Sequence, residues 1–214
     1  MSKADSVKAK LKNLAIKEGK QFDYYIMLYF IERLLYRLSL SNYSDTFVLK
    51  GGLLLYTILD ENARATKDVD MLANDISNQL ESVIAEKFEA MVFLGDFNSR
   101  MKNFYDIYSI CKKFDFDGML LQQAVKATFE KRRMGFNQTP FIFTTAFINS
   151  VEKERQWIAF KKRIGYQSDV DFERVMKSII CFLEPVYRNI LNNAVFYDYW
   201  SHQELQWQNK SLQS

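Results

Sequence analysis

The sequence predicts an α+β protein that is mostly helical, with a few short strands near its N-terminus. Its 214 residues include only 2 prolines and 7 glycines, which favours long helices over a turn-rich β architecture. An apolar run of strand length occurs at Phe47–Leu49, and acidic and apolar residues alternate over Asp68–Leu72, both in the first third of the chain. Helical spacing of apolar residues dominates the remainder. We therefore expect a small core over residues 1–80 and a helical bundle over residues 81–214.

The individual helices follow from the spacing of their apolar residues. Residues 5–17 alternate charged and apolar positions at helical spacing, and a denser apolar helix is predicted from Phe22 to Leu38. Asp117 and Asp171 stand where N-cap residues are expected. The polar residues after His202 predict a frayed tail. The later helical spans are Ser82–Leu94, Lys102–Lys113, Asp117–Arg133, Phe147–Arg163 and Asp171–Asn192.

Composition excludes several classes of protein. With 48% hydrophobic and 26% charged residues, the chain resembles an ordinary globular protein. Its first 20 residues lack the apolar core of a signal peptide, and no run approaches the ~18 apolar residues of a membrane span. The single histidine argues against histidine-based metal or triad chemistry, and Cys111 and Cys181 are too isolated for a disulfide framework. We expect a cytoplasmic protein with reduced thiols.

Basic residues are concentrated in one segment of the predicted helical bundle. Between Glu130 and Arg163 there are eight basic residues and three acids, whereas the whole chain has a net charge of +3. Such an excess could contact a nucleic-acid backbone. A solvated helix face explains it equally well, so both interpretations stay open.

Glycines and carboxylates that suit phosphate chemistry stand around the two predicted strands. Gly51 and Gly52 follow the first strand, where backbone N–H groups can approach a triphosphate at the start of a helix. Asp68 and Asp70 lie two residues apart on the second strand, so their side chains point to one side and can hold Mg²⁺. Each pair alone is usually a tight turn or a solvent-facing strand edge. The combination in this order is more specific.

Four residues of the helical part complete the candidate site. Lys87 lies within the apolar stripe of its helix, so it either extends toward solvent or is held there for a purpose. Arg100, Lys102 and Asp106 lie around the start of the next helix. A carboxylate buried at Asp106 requires a cationic partner. A structural salt bridge with Lys87 or Arg100 is therefore the alternative to a role in catalysis.

The order of these motifs resembles the AbiEii/AbiGii toxin family, which comprises the nucleotidyltransferase toxins of type IV toxin–antitoxin and abortive-infection systems. The resemblance extends loosely to the C-terminus and covers nearly the whole chain. It implies a reduced DNA-polymerase-β-like nucleotidyltransferase core followed by a helical region. The segments that carry it are Glu32–Ser39, Phe47–Tyr56, Arg64–Asp70, Glu81–Tyr108 and Thr128–Arg132.

The resemblance implies that the N-terminal motifs bind a metal and the nucleotide. Asp68 and Asp70 would be catalytic and bind Mg²⁺, and Gly51 and Gly52 would face the phosphates of an NTP. The implied reaction is attack of an acceptor hydroxyl on the α-phosphorus of the NTP, with release of pyrophosphate. The acceptor would be an RNA, with tRNA as the family precedent, or a protein.

The resemblance also assigns roles in the helical part. Lys87 would be catalytic and touch the triphosphate, and Arg100 would bind the nucleotide. Lys102 and Asp106 would support the site. A cognate antitoxin protein is the implied macromolecular partner.

The chain departs from the family pattern between Asp70 and Glu81. Family members carry a long segment here, with further strands and a third acidic residue for the metals. Only the ten residues Met71–Leu80 remain, too few for two or three strands of ~5–6 residues each. This pattern predicts an internal deletion. Asn103 is a second departure, because the family often has an acid there.

The departures leave three hypotheses. The chain is a working nucleotidyltransferase toxin, or a catalytically inactive relative that binds RNA or an antitoxin, or a helical scaffold without a ligand. Retention of the lysine, arginine and aspartate motifs favours the first hypothesis, and the missing carboxylate favours the second. Two short strands do not form a stable sheet alone, so helices or a second copy of the chain must cover their edges.

Overall fold

A computed structural model provides the structure of the chain, which divides into two compact units. One unit comprises Met1–Ile58 and Ala63–Ile76, and the other comprises Leu59–Asn62 and Ser77–Ser214. At residues 47–50, 70–73 and 79 the backbone alone is described. The described residues are 2–41, 47–50, 54, 70–73 and 79–209.

Two helices open the first unit, and each follows the predicted apolar spacing. Helix α1 (Lys3–Glu18) begins with a capping box, in which the Ser2 hydroxyl accepts from the Asp5 N–H and the Asp5 carboxylate accepts from the Ser2 N–H. Gly19, in the left-handed conformation, ends it. Helix α2 (Phe22–Ser39) packs against α1 and is joined to it by a hydrogen bond from Tyr25 to Glu18.

The two strands predicted in the first third of the chain form one antiparallel pair. Strand β1 covers Phe47–Lys50 and strand β2 covers Asp70–Ala73. The register runs from Phe47 opposite Ala73 to Lys50 opposite Asp70. The end of β1 that leads into Gly51 therefore lies beside the start of β2.

Within residues 79–209, six α-helices form the bundle. The prediction of five was wrong, because the span Phe147–Arg163 is divided at Asn149 and Ser150, where Asn149 ends one helix and the Ser150 hydroxyl caps the next. The bounds of the helices are α3 Gln79–Leu94, α4 Met101–Cys111, α5 Gly118–Lys131, α6 Thr145–Ile148, α7 Val151–Ile164 and α8 Phe172–Leu191. Short 3₁₀ helices occur at Gly95–Phe97 and Phe141–Phe143. Helix α3 packs mainly on α5, and α8 packs on α4 and α5. None of the described helices has the length and apolar character that crossing a membrane requires.

The predicted N-caps are confirmed. The Asp117 carboxylate accepts from the N–H groups of Met119 and Leu120 at 2.9 and 3.1 Å, and the Asp171 carboxylate accepts from the Arg174 N–H at 2.7 Å. Each cap satisfies N–H groups that have no partner within the helix. These two aspartates therefore fix where α5 and α8 begin.

Aromatic side chains fill the core of the bundle. Phe88 of α3 lies within 6 Å, centroid to centroid, of Phe129, Phe143 and Tyr187. Such pairs each contribute about 0.5–1.5 kcal/mol beyond the burial of their area. The core therefore ties α3, which carries Lys87, to α5 and α8.

The C-terminal region departs from the prediction. Strands β3 (Phe116–Asp117), β4 (Tyr199–Ser201) and β5 (Gln206–Gln208) form an antiparallel sheet in that order. The expectations that strands are confined to the first third, and that the chain frays after His202, were therefore wrong. The reason is the tryptophans: Trp200 is fully buried and donates to the Cys111 carbonyl at 2.8 Å, and Trp207 donates to the Phe182 carbonyl at 3.0 Å.

Replacing Gly118 by alanine is expected to destabilise the bundle by about 1–3 kcal/mol, the usual cost of overpacking. A Cβ at Gly118 would lie 2.6 Å from the Asp198 carbonyl oxygen and 2.7 Å from a ring carbon of Phe196. Gly135 is the matched control, because a Cβ there would meet nothing within 4 Å. Urea unfolding of Gly118→Ala and Gly135→Ala measures the difference. Equal free energies of unfolding for the two variants would contradict the packing described here.

Candidate functional site

A buried ion pair joins helices α3 and α4. The Lys87 ammonium donates to the Asp106 carboxylate at 2.7 Å, and the two side chains are 12% and 1% exposed. The prediction that Asp106 has a cationic partner is therefore confirmed, and of the two candidates the partner is Lys87. Close contact is required here, because removing both charges from water costs several kcal/mol per ion.

The surroundings of Lys87 explain why its side chain is held inward. Ile84, Phe88 and Met91, on the same face of α3, are fully buried. The lysine stem therefore lies against the core, and its ammonium reaches the carboxylate of the neighbouring helix. An ammonium has three donor hydrogens, and Asp106 uses one of them. Lys87 is thus oriented by Asp106.

Arg100 and Lys102 lie at the start of α4 and are exposed. Arg100 precedes Asp106 by six residues, or about 9 Å along the helix axis. Its backbone N–H donates to the Asn98 side-chain oxygen at 2.9 Å. The Arg100 side chain is exposed, whereas the pair formed by Lys87 and Asp106 is buried where α3 packs on α4.

Two buried polar residues near the start of α4 were not among the predicted site residues. Asn98 is fully buried, and Lys153 of α7 is 3% exposed. Lys153 donates to the backbone carbonyls of Asp96 and Asn98 at 2.5 and 3.2 Å. The sequence carried no signal for Lys153, because the predicted span Phe147–Arg163 places it inside a helix, whereas α7 begins at Val151 and Lys153 lies in its first turn.

Asn103, the second departure from the family pattern, is also buried. It is 5% exposed and lies one helical turn before Asp106, on the same side of α4. An amide at this position adds no charge beside Asp106, so Lys87 balances a single carboxylate here.

The basic segment 130–163 does not form one charged surface. Arg132 forms an ion pair with the buried Glu89, and Lys161 donates to the carbonyls of Ser168 and Val170 at 2.9 and 2.8 Å. Lys153 is buried. The other five of the eight basic residues are exposed, and no ion pair or hydrogen bond to a carbonyl is described for them. These are Lys131, Arg133, Arg155, Lys162 and Arg163.

The cysteines and the histidine offer no second catalytic centre in the described residues. Burial raises the pKa of the Cys111 thiol to about 12, so that it stays protonated and unreactive. Partial burial would raise the pKa of Asp115, but hydrogen bonds from Tyr199 and His202 outweigh this effect and lower it. His202 contacts Asp115 through its backbone N–H and its ring, at 2.9 and 2.7 Å, so this cluster fastens the β4–β5 turn.

The predicted metal and phosphate residues belong to the first unit. Gly51, Gly52 and Asp68 lie outside the described residues, and of Asp70 the backbone is described at the start of β2, opposite Lys50. Among the described side chains, no group of three or more histidines, cysteines or carboxylates could hold a metal. The assignment of Mg²⁺ to Asp68 and Asp70 therefore stays a prediction, based on the preference of Mg²⁺ for hard carboxylate oxygens.

Comparison with known proteins gives one match. The profile of the family described as "Nucleotidyl transferase AbiEii toxin, Type IV TA system" matches residues 33–82 and 78–178. The two matched segments together span more than half of the 214 residues. No curated protein and no solved structure matches the chain.

Proposed function

Because this chain belongs to the AbiEii family of nucleotidyl transferase toxins of type IV toxin–antitoxin systems, we propose that it transfers a nucleotide from an NTP to a hydroxyl group of RNA. The observation that carries the proposal is the family match over residues 33–82 and 78–178, and the buried ion pair between Lys87 and Asp106 lies within the second matched segment. A lysine that is mostly buried, held by a carboxylate and still able to donate suits an anionic substrate. Transfer RNA is the first acceptor to test.

The chain's own residues would position the triphosphate. Lys87, oriented by Asp106 at 2.7 Å, would donate to it, and Arg100 would contact it from the start of α4. Gly51 and Gly52 would offer backbone N–H groups. Positioning of this kind accounts for much of the rate enhancement in phosphoryl and nucleotidyl transfer.

Asp68 and Asp70 would hold Mg²⁺. The antiparallel register supports this assignment, because it aligns the end of β1 that leads into the glycine pair with the start of β2, which Asp68 closely precedes. When bound, the metal would stabilise negative charge that develops on the phosphate oxygens during transfer.

The boundary between the two matched segments supports the proposal of an internal deletion. The segments meet at residues 78–82, next to the predicted join between Leu80 and Glu81. Strand β2 ends at Ala73 and α3 begins at Gln79, so five residues form the whole connection between them. The family's third carboxylate would be missing, and we therefore propose that Mg²⁺ binds weakly and that the enzyme is slow.

A second candidate function is RNA binding without catalysis. The exposed side of α7 favours it, because Arg155, Lys162 and Arg163 lie there at positions i, i+7 and i+8. Of the two acids of this helix, Glu154 accepts from the Phe172 N–H at 2.7 Å, whereas Glu152 is exposed and accepts from Gln156 of the same helix at 3.0 Å. Three exposed cations against one exposed acid leave the exposed residues of α7 with a net positive charge.

We expect the purified protein, incubated with Mg²⁺, total tRNA and each α-³²P-labelled NTP in turn, to transfer label to RNA with at least one NTP. Asp70→Asn protein, purified in the same way, is the control for labelling by contaminating enzymes. Failure to label RNA with any NTP would overturn the proposed function. RNA binding that weakens steeply with salt, and is reduced in Lys162→Glu, would then favour the second candidate.

A further inference from the structure

Lys153 is a buried cation whose charge is held by backbone carbonyls. Lysine is almost never this buried unless its ammonium is paired. Here the ammonium donates to the Asp96 and Asn98 carbonyls at 2.5 and 3.2 Å, whereas the nearest carboxylate oxygen, of the exposed Asp96 side chain, lies 3.9 Å away. Lys153 therefore acts mainly as a clamp on the loop from Asp96 to Asn98.

The position of Lys153 in its own helix makes a purely local role implausible. It lies in the first turn of α7, where exposed N–H groups and the helix dipole disfavour a cation. Burial of the ammonium adds a desolvation cost. The side chain does gain a contact with the Phe147 ring, whose centroid is 5.5 Å away, but an apolar side chain of the same length would fill that space. The positive charge of Lys153 is therefore explained by its hydrogen bonds to the loop from Asp96 to Asn98.

The clamped loop leads directly to Arg100. The Asn98 side-chain oxygen accepts from the Arg100 N–H at 2.9 Å, and the Arg100 carbonyl accepts from the Asn103 N–H at 2.9 Å. Both backbone groups of Arg100 are therefore fixed. A continuous series of hydrogen bonds runs from Lys153 through Asn98 to Arg100.

We propose that Lys153 is a positioning residue for nucleotide transfer: by holding the loop at Asp96–Asn98, it sets the backbone from which Arg100 reaches the triphosphate. This inference rests on the proposed function. Lys153 does not touch the reacting atoms in this scheme, and its effect passes through Arg100. Substitution should therefore weaken nucleotide binding rather than slow the chemical step.

The test compares Lys153→Met with Lys161→Met in the label-transfer assay. Lys161 is the matched control, since it lies in the same helix and likewise donates to two carbonyls, but those carbonyls belong to the loop before α8. We expect Lys153→Met to raise the KM for NTP about 10- to 100-fold with a smaller change in kcat, as displacement of a binding group predicts. Lys161→Met should leave the KM unchanged, and Lys153→Arg should restore part of the loss.

A double-mutant cycle with Arg100→Ala tests the route of the effect. If Lys153 acts through Arg100, Lys153→Met should add little to the loss already caused by Arg100→Ala. Equal KM values for Lys153→Met and Lys161→Met, or fully additive losses in the cycle, would overturn the inference while the wild-type protein stays active. A wild-type protein that transfers no label overturns the proposed function itself, and this inference falls with it.

Discussion

Replacing Lys87 by methionine should strongly reduce nucleotide transfer and destabilise the fold at the same time. The Asp106 carboxylate is 1% exposed and would lose the ammonium that lies 2.7 Å from it. Breaking a buried pair by removing one partner costs about 3–5 kcal/mol, because an uncompensated charge remains. In the same variant the triphosphate would lose its donor, which we expect to lower kcat/KM by about 10²–10³-fold.

A second substitution separates the two effects of Lys87→Met. Asp106→Asn removes the stranded charge with little change in shape, so the double variant should recover most of the stability and none of the transfer. Chemical denaturation gives the free energy of unfolding, and label transfer gives the rate. Transfer at the wild-type rate by the folded double variant would show that the pair is structural only.

Arg132→Met provides the matched control for the loss of an ion pair. Arg132 is bonded to the buried Glu89, which lies on α3 as Lys87 does, but this pair involves no predicted site residue. The variant should lose stability and keep its KM for NTP. A rise in the KM for NTP as large as that caused by Lys87→Met would mean that destabilising α3 is enough to impair nucleotide binding.

Asp70→Asn is expected to lower the transfer rate about 10³-fold or more while the protein stays folded. A metal contributes several kcal/mol of transition-state stabilisation, and each 1.4 kcal/mol corresponds to a factor of ten in rate. The amide keeps the shape of the residue at the start of β2, opposite Lys50, so the pairing of β1 with β2 should persist. Label transfer over a range of Mg²⁺ concentrations measures the effect.

The control for Asp70→Asn is Asp169→Asn, which removes an exposed carboxylate between α7 and α8. This variant should match the wild type at every Mg²⁺ concentration. An active Asp70→Asn protein with an unchanged Mg²⁺ requirement would contradict the assignment of Asp70 as a metal ligand.

Features of the fold that depend on nearby residues could be predicted from the sequence. The apolar spacing of α2 and α3 and the caps at Asp117 and Asp171 are local patterns, with physical causes that act over one helical turn. The sequence also predicted a cationic partner for Asp106, because a buried carboxylate needs one, but it left Lys87 and Arg100 as alternatives. The geometry of the pair required the packing of α3 on α4.

The C-terminal sheet could not be predicted in the same way. Its strands are two or three residues long, and β3 pairs with β4 more than 80 residues later in the chain. Such pairing depends on long-range burial, here of Trp200 under α4 and α8, and short polar stretches such as Gln206–Gln208 carry no strand signal of their own. The same limit applies to Lys153, since its partners lie 55 and 57 residues away.

Counting charges along the chain overestimated the basic surface, because the sequence does not show which basic residues have partners far along the chain. Arg132, Lys153 and Lys161 were indistinguishable in the sequence from their exposed neighbours, yet each contacts a specific internal partner. Net charge over a segment therefore overstated the surface available to a nucleic acid. The predicted contact with a nucleic acid therefore now concerns the exposed face of α7.

The most direct test of the proposed nucleotide site is the melting temperature of the wild-type protein with and without Mg²⁺ and NTP. A ligand present at 100 times its Kd stabilises the native state by about 2.7 kcal/mol, which corresponds to a rise of about 5–10 °C for a chain of this size. We expect such a rise with Mg²⁺ and NTP together, and its loss in both Asp70→Asn and the double variant at Lys87 and Asp106. An unchanged melting temperature with every NTP at saturating Mg²⁺, or an equal rise in those variants, would contradict the assignment of these residues to binding of the metal and the nucleotide.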